Sequence, residues 1–68
     1  MKNFYLKGAY ITLGQFLKAN DYINSGGEAK VFLLNNDIKV NNEKCQERGK
    51  KIHKGIILKI NNDLYEIR

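Results

Sequence analysis

Two short helices followed by strands is the arrangement this sequence predicts, and three observations predict it. Thr12 with Gln15, and Ser25 with Glu28, each have the three-residue spacing of a capping box that opens a helix. Apolar residues after each box fall at the three-and-four spacing of one helical face. Beyond residue 36 the pattern becomes strand-like, with Asn61-Asn62-Asp63 as a turn between the last two strands.

Asn3–Lys7 alternates loosely around Phe4 and Leu6, which predicts a short strand ending at Gly8. Ile11 and Phe16 then stand at the two positions of a hydrophobic staple around the Thr12–Gln15 box. Leu13, Phe16, Leu17 and Asn20 continue one face, so the first helix is expected at about residues 12–20. Gly14 inside it reads as a propensity cost of about 1 kcal/mol. Ala29, Phe32 and Leu33 give the second helix its apolar face. The Asn35-Asn36-Asp37 cluster is expected to end it, through the tolerance of asparagine for left-handed backbone. Asp37–Asn41 turns Ile38 and Val40 inward, Ile56–Ile60 is an apolar strand, and Leu64–Ile67 alternates again. Asn42 to Gly55 reads as one long connection, of the kind that carries function on small scaffolds.

A chain of 68 residues with no proline, repeat or low-complexity linker is expected to be one domain, 1–68. Folding removes only about 60% of the extended surface of so short a chain, which argues against a deep catalytic cavity. The lone Cys45 forms no disulfide framework and no zinc cluster. The longest apolar runs, Val31–Leu34 and Ile56–Leu58, are too short to cross a bilayer, and no leader pattern opens the chain. A soluble, cytoplasmic, monomeric domain is expected.

The 12 Lys+Arg outnumber the 7 Asp+Glu, giving a net charge of +5 and a pI near 9.5. Most of this excess lies between residues 39 and 54, where Lys39, Lys44, Arg48, Lys50, Lys51 and Lys54 face only Glu43 and Glu47. Such a patch attracts a polyanion, although a solvated loop and a compositional bias toward Lys and Asn both remain open as explanations. Chemistry is poorly supported. His53 has no Cys or carboxylate at ligand spacing, the acids are scattered, and Gly26-Gly27 lacks the rest of a nucleotide fingerprint. No catalytic residue, metal site or cofactor is assigned.

Phosphate binding is better supported. Gly26 and Gly27 fall in the first turn of the second helix, where free N–H groups and the helix dipole favour an anion. Their other reading is a tight interhelix turn, and Glu28 opposes an anion there. Arg48-Gly49-Lys50-Lys51 adds donors for successive phosphates, and Arg48 also suits stacking or edge reading. Phe16 and Phe32 belong to core faces, while Tyr5, Tyr10, Tyr22 and Tyr65 do not interleave with the basic loop. Shape-reading of folded RNA therefore fits better than an aromatic platform.

These residues resemble the S-four RNA-binding domain, or alpha-L motif, over about residues 11–60. The likeness rests on Ile11-Thr12-Leu13-Gly14-Gln15-Phe16-Leu17-Lys18, Ser25-Gly26-Gly27-Glu28-Ala29-Lys30, Ile38-Lys39-Val40-Asn41-Asn42-Glu43 and Arg48-Gly49-Lys50-Lys51-Ile52 with Gly55. Three elements in order are most similar to the small stand-alone bacterial YaaA/YbcJ-like group. The resemblance implies an α+β fold with two short helices packed against a small, mostly antiparallel curved sheet. It implies structured RNA (ribosomal or transfer RNA), the ribosome or an assembling subunit as partner, with no enzymatic role. By analogy Ser25, Gly26, Gly27 and Lys30 form the helix end of the RNA face, and Lys39, Arg48, Lys50 and Lys51 its basic flank. Lys18, His53 and Lys54 complete the candidate set. The chain departs from the family pattern at Gly26, where many members carry arginine after the serine, and at Asn42, Glu47 and Ile56. Two rival classes are a protein-interaction adaptor and a DNA-binding protein. The second is weakened by a second helix whose only cation is Lys30.

Overall fold

The computed structural model describes residues 1–68. Helix α1, Leu13–Ala19, starts as the sequence predicts: Gln15 N–H donates to Thr12 Oγ1 at 3.2 Å, and Thr12 N–H to Gln15 Oε1 at 3.0 Å. Its end is a Schellman arrangement. Tyr22 N–H reaches Leu17 O at 2.9 Å, Asp21 N–H reaches Lys18 O at 3.2 Å, and Asp21 holds φ 63°. The second helix differs from expectation at both ends. Its first turn, Gly26–Glu28, is a 3-10 turn leading into α2, Ala29–Asn35. It stops without left-handed backbone: Asn36 is extended at φ −132°, and its side-chain amide donates to Phe32 O at 2.8 Å.

Strands β1 (Lys2–Phe4), β3 (Ile38–Val40), β4 (Glu43–Lys44), β6 (Ile57–Ile60) and β7 (Asp63–Ile67) form one sheet in the order β1-β7-β6-β3-β4. All its pairings are antiparallel except β1 with β7. A separate ribbon pairs β2 (Ile11–Thr12) with β5 (Lys51–Ile52). The expected long connection from Asn42 to Gly55 is thus broken up. Asn41 and Asn42, at φ 50° and 70°, make a two-residue turn into β4, the doubly left-handed form that suits a twisted hairpin. Only residues 45–50 remain as a loop before β5. Asparagine does defined work here: Asn61 at φ 53° turns β6 into β7, and its side chain takes the Asp37 N–H at 3.0 Å.

The core holds Leu13, Phe16 and Leu17 of α1, Ala29 and Leu33 of α2, and Ile38, Val40, Leu58, Ile60, Tyr65 and Ile67 of the sheet. Ile52 of the ribbon and Ile23 between the helices complete it. Phe16 is central, meeting Phe4 and Tyr65 edge-on with centroids at 4.9 Å in both cases. No helix is long and apolar enough to cross a membrane.

One polar cluster closes the side of this core. The Tyr22 hydroxyl donates to Asp63 Oδ2 at 2.8 Å and lies 2.7 Å from the Tyr65 hydroxyl. Burial, then the bonds to Tyr65 and Asp63, favour the neutral phenol and raise the Tyr22 pKa. A folded pKa above the unfolded value of about 10 gives stability that is complete below that value. It is lost as pH rises through the folded one. Denaturant midpoints should therefore fall above about pH 10 more steeply in the wild type than in Tyr22→Phe. Parallel curves for the two proteins would contradict this linkage.

Candidate nucleic-acid interface

The basic loop is tied to α1 through its backbone, which leaves its cations free. Residues 47–50 form a turn in which Lys50 N–H donates to Glu47 O at 3.1 Å, with Arg48 and Gly49 at the tip. The carbonyls of Arg48 and Lys50 then accept the first N–H groups of α1, Gly14 to Arg48 and Leu13 to Lys50, each at 2.8 Å. Gly14 is explained by this contact, since a Cβ there would lie 3.3 Å from Arg48 O. It marks a close approach, beyond the propensity cost that its place in the sequence suggests.

Arg48 and the second helix meet at a shallow cleft of about 290 Å³, lined by Thr12, Gly14, Gln15, Gly26, Ala29, Arg48 and Gly49. Two of these glycines have no reason inside the chain to be glycine. Neither Gly26 nor Gly49 has positive φ, and an added Cβ at either would meet nothing within 4 Å. The reading of Gly26 as an aid to a tight turn therefore finds no backbone requirement. Bare backbone at two places in the cleft that Arg48 also lines leaves room for a polymer backbone.

The helix end itself is partly occupied. Glu28 Oε2 accepts the N–H groups of Asn24 and Ser25, both at 3.1 Å, and the Ser25 hydroxyl at 3.4 Å. The carboxylate thus sits where an incoming anion would compete for the same donors. Gly27 is the middle residue of the Gly26–Glu28 turn, and Lys30 is exposed one step along α2 from the cleft residue Ala29. Lys18 is exposed on α1 and lines a neighbouring groove with Ile11, Gln15 and Ala19.

The remaining cations fall in three places. Lys51, His53 and Lys54 are exposed on and beyond β5. There Lys51 Nζ lies 4.9 Å above the Tyr10 ring and the His53 ring lies 5.9 Å from it. This corrects the expectation that no tyrosine interleaves with the basic segment: antiparallel pairing of Ile11 with Ile52 brings Tyr10 alongside His53. With β2 only two residues long, no periodicity in the sequence signalled this pairing. Lys39 belongs elsewhere, on the sheet face away from the helices, in register with Lys44 on one side and Lys59 on the other. Lys50 lines a third hollow, with Glu43 and Glu47 among its walls. The only ion pairs in the chain are Lys2–Asp63 and Arg68–Glu66, so none of these candidate cations is neutralised by a carboxylate. No three His, Cys, Asp or Glu side chains gather as a metal site would need.

Two comparisons with known proteins bear on the family of this chain. A family model described as S4 domain matches residues 4–68. The chain is also 50% identical over 50 residues to a Bacillus subtilis (strain 168) protein named "Probable ribosome maturation protein RlbA". That alignment covers 74% of this chain and 70% of the relative. The family match reaches beyond the resemblance at residues 11–60, from Phe4 at the end of β1 through the whole of β7. On these grounds the chain belongs to the S4 domain family.

Proposed function

We propose that this protein binds structured RNA, ribosomal or transfer RNA, without catalysis, and serves ribosome maturation as a monomer in the cytoplasm. The observation that carries this reading is the cleft that Gly26 and Gly49 share with Arg48, with no internal need for glycine at either position. A phosphodiester backbone lying there would contact main-chain groups closely, with Arg48 forming charge-assisted hydrogen bonds. Lys30 and Lys18 extend the positive field along the helices, and Lys50, Lys51, His53 and Lys54 extend it along the loop and β5. The family, and the name of the Bacillus relative, support RNA and ribosome maturation over other polyanions.

Gly26→Ala and Gly49→Ala test the cleft. Each adds a methyl group into open space, so folding stability should hold or rise by about 0.4–1 kcal/mol as the unfolded chain loses freedom. RNA affinity should fall nonetheless. Thermal melting and filter binding on the same preparations separate the two effects. Affinity unchanged in both variants would remove the cleft from the RNA path.

A second reading has one observation in its favour. Val31 and Leu34, one turn apart on α2, are 60% and 62% exposed, as a protein-docking face would require. An adaptor of this kind would co-purify with a protein partner after nuclease treatment, and Val31→Ser with Leu34→Ser would abolish that association.

A further inference from the structure

The molecule has a second feature whose chemistry differs from phosphate gripping. An open hollow of about 370 Å³ is walled by Phe4, Tyr5, Leu6, Lys7, Tyr10 and Ile11, with Gly8 at its margin. That volume lies within the roughly 300–1,000 Å³ of small-molecule sites. Its aromatic walls are left in water: Tyr5 is 68% and Tyr10 46% exposed. The Tyr10 ring carries the Lys51 ammonium at 4.9 Å and stands 5.9 Å from the His53 ring, tilted by 54°.

Resting on the RNA-binding reading above, we propose that this hollow receives one unstacked RNA base, stacked on Tyr10, with Lys7 and Lys51 holding its flanking phosphates. The choice of occupant follows from charge and continuity. No carboxylate lines the hollow, Lys7 lines it, Lys51 stands over its Tyr10 wall, and the β2–β5 pairing joins it directly to the basic segment. An apolar peptide would gain nothing from those cations, whereas a nucleotide uses both the ring face and the charge. Tyr10 then supplies what the cleft at Arg48 lacks. The cleft grips backbone wherever it passes, and the hollow demands an unpaired base at a fixed distance from it, which favours bulges and loops over uniform duplex.

The test compares an RNA hairpin carrying one bulged adenosine with its fully paired counterpart. Tyr10→Leu should lose roughly 5- to 150-fold in affinity for the bulged hairpin, the value of one base–aromatic stack, and little for the paired one. The salt dependence should be unchanged, because no charge is removed. Tyr10→Phe should restore binding, and His53→Ala should weaken it less than Tyr10→Leu. The chain has no tryptophan, so tyrosine emission is directly visible, and the bulged hairpin should quench it in wild type more than in Tyr10→Phe. Wild-type affinity in Tyr10→Leu for the bulged hairpin, or an equal loss for both hairpins, would overturn the base pocket. If that happened while Arg48→Ala still weakened binding and flattened the salt slope, the phosphate-gripping reading would stand without it. Failure of the wild-type protein to bind either hairpin would remove both.

Discussion

Phe16→Ala should cost about 3–5 kcal/mol, the usual range for emptying a buried aromatic site. At roughly 0.05–0.15 kcal/mol per residue, a domain of this size has only about 3–10 kcal/mol in total, so the variant should be largely unfolded at moderate temperature. Three features place the cost at the top of its range. Phe16 is fully buried, it meets Phe4 and Tyr65 edge-on, and those partners belong to the only parallel strand pair. Its loss removes the link between α1 and β1–β7 and leaves a cavity that a chain with 13 buried residues cannot readily fill. Phe16→Leu, which refills most of that volume, should recover more than half of the loss in a denaturant titration.

The second large effect is on binding. The double variant Arg48→Ala/Lys51→Ala should lose two phosphate contacts, each contributing about 0.7–0.9 to the slope of log affinity on log salt. At about 0.1 M salt that corresponds to a roughly 25- to 60-fold loss, with a slope shallower by about 1.4–1.8. The fold should survive. Arg48 secures α1 through its carbonyl, which the substitution keeps, and both side chains are exposed. The Lys51 contact with Tyr10 contributes about 0.5–1 kcal/mol at an exposed position, so melting should shift only slightly. Unchanged affinity and slope would exclude the 48–51 segment from the interface.

What was legible in the sequence was local. Both helices announced themselves through side chains that cap their own first turns, and Ile38–Val40 and the β6–β7 hairpin through alternation and asparagine turns. What was hidden depends on contacts distant in the chain. Gly14 looks like a flaw in α1 until the Arg48 carbonyl is set against it, and that pairing spans 34 positions. Strands β2, β4 and β5 have two residues each, too few for any period to register. Parallel pairing of β1 with β7 joins the two ends of the chain, which no nearby pattern encodes.

The candidate site divides in the same way. The cations are visible as a charge run, but the run is linear and the surface is not. Lys39 reads as a neighbour of Arg48 in sequence, yet strand alternation turns it to the sheet face opposite the core, beside Lys44 and Lys59. Gly26 and Gly49 show their meaning only by what does not touch them, and Tyr10 only by the strand that pairs beside it.

The central claim is selective binding of structured RNA through phosphate contacts. Its most direct test is affinity of the wild-type protein for ribosomal RNA, transfer RNA and duplex DNA across a salt series. With about five cations engaged, preference for a structured RNA and a slope of about −3.5 to −4.5 are expected. Equal, weak binding to all three would contradict the claim and leave the charge of this domain without a specific nucleic-acid role.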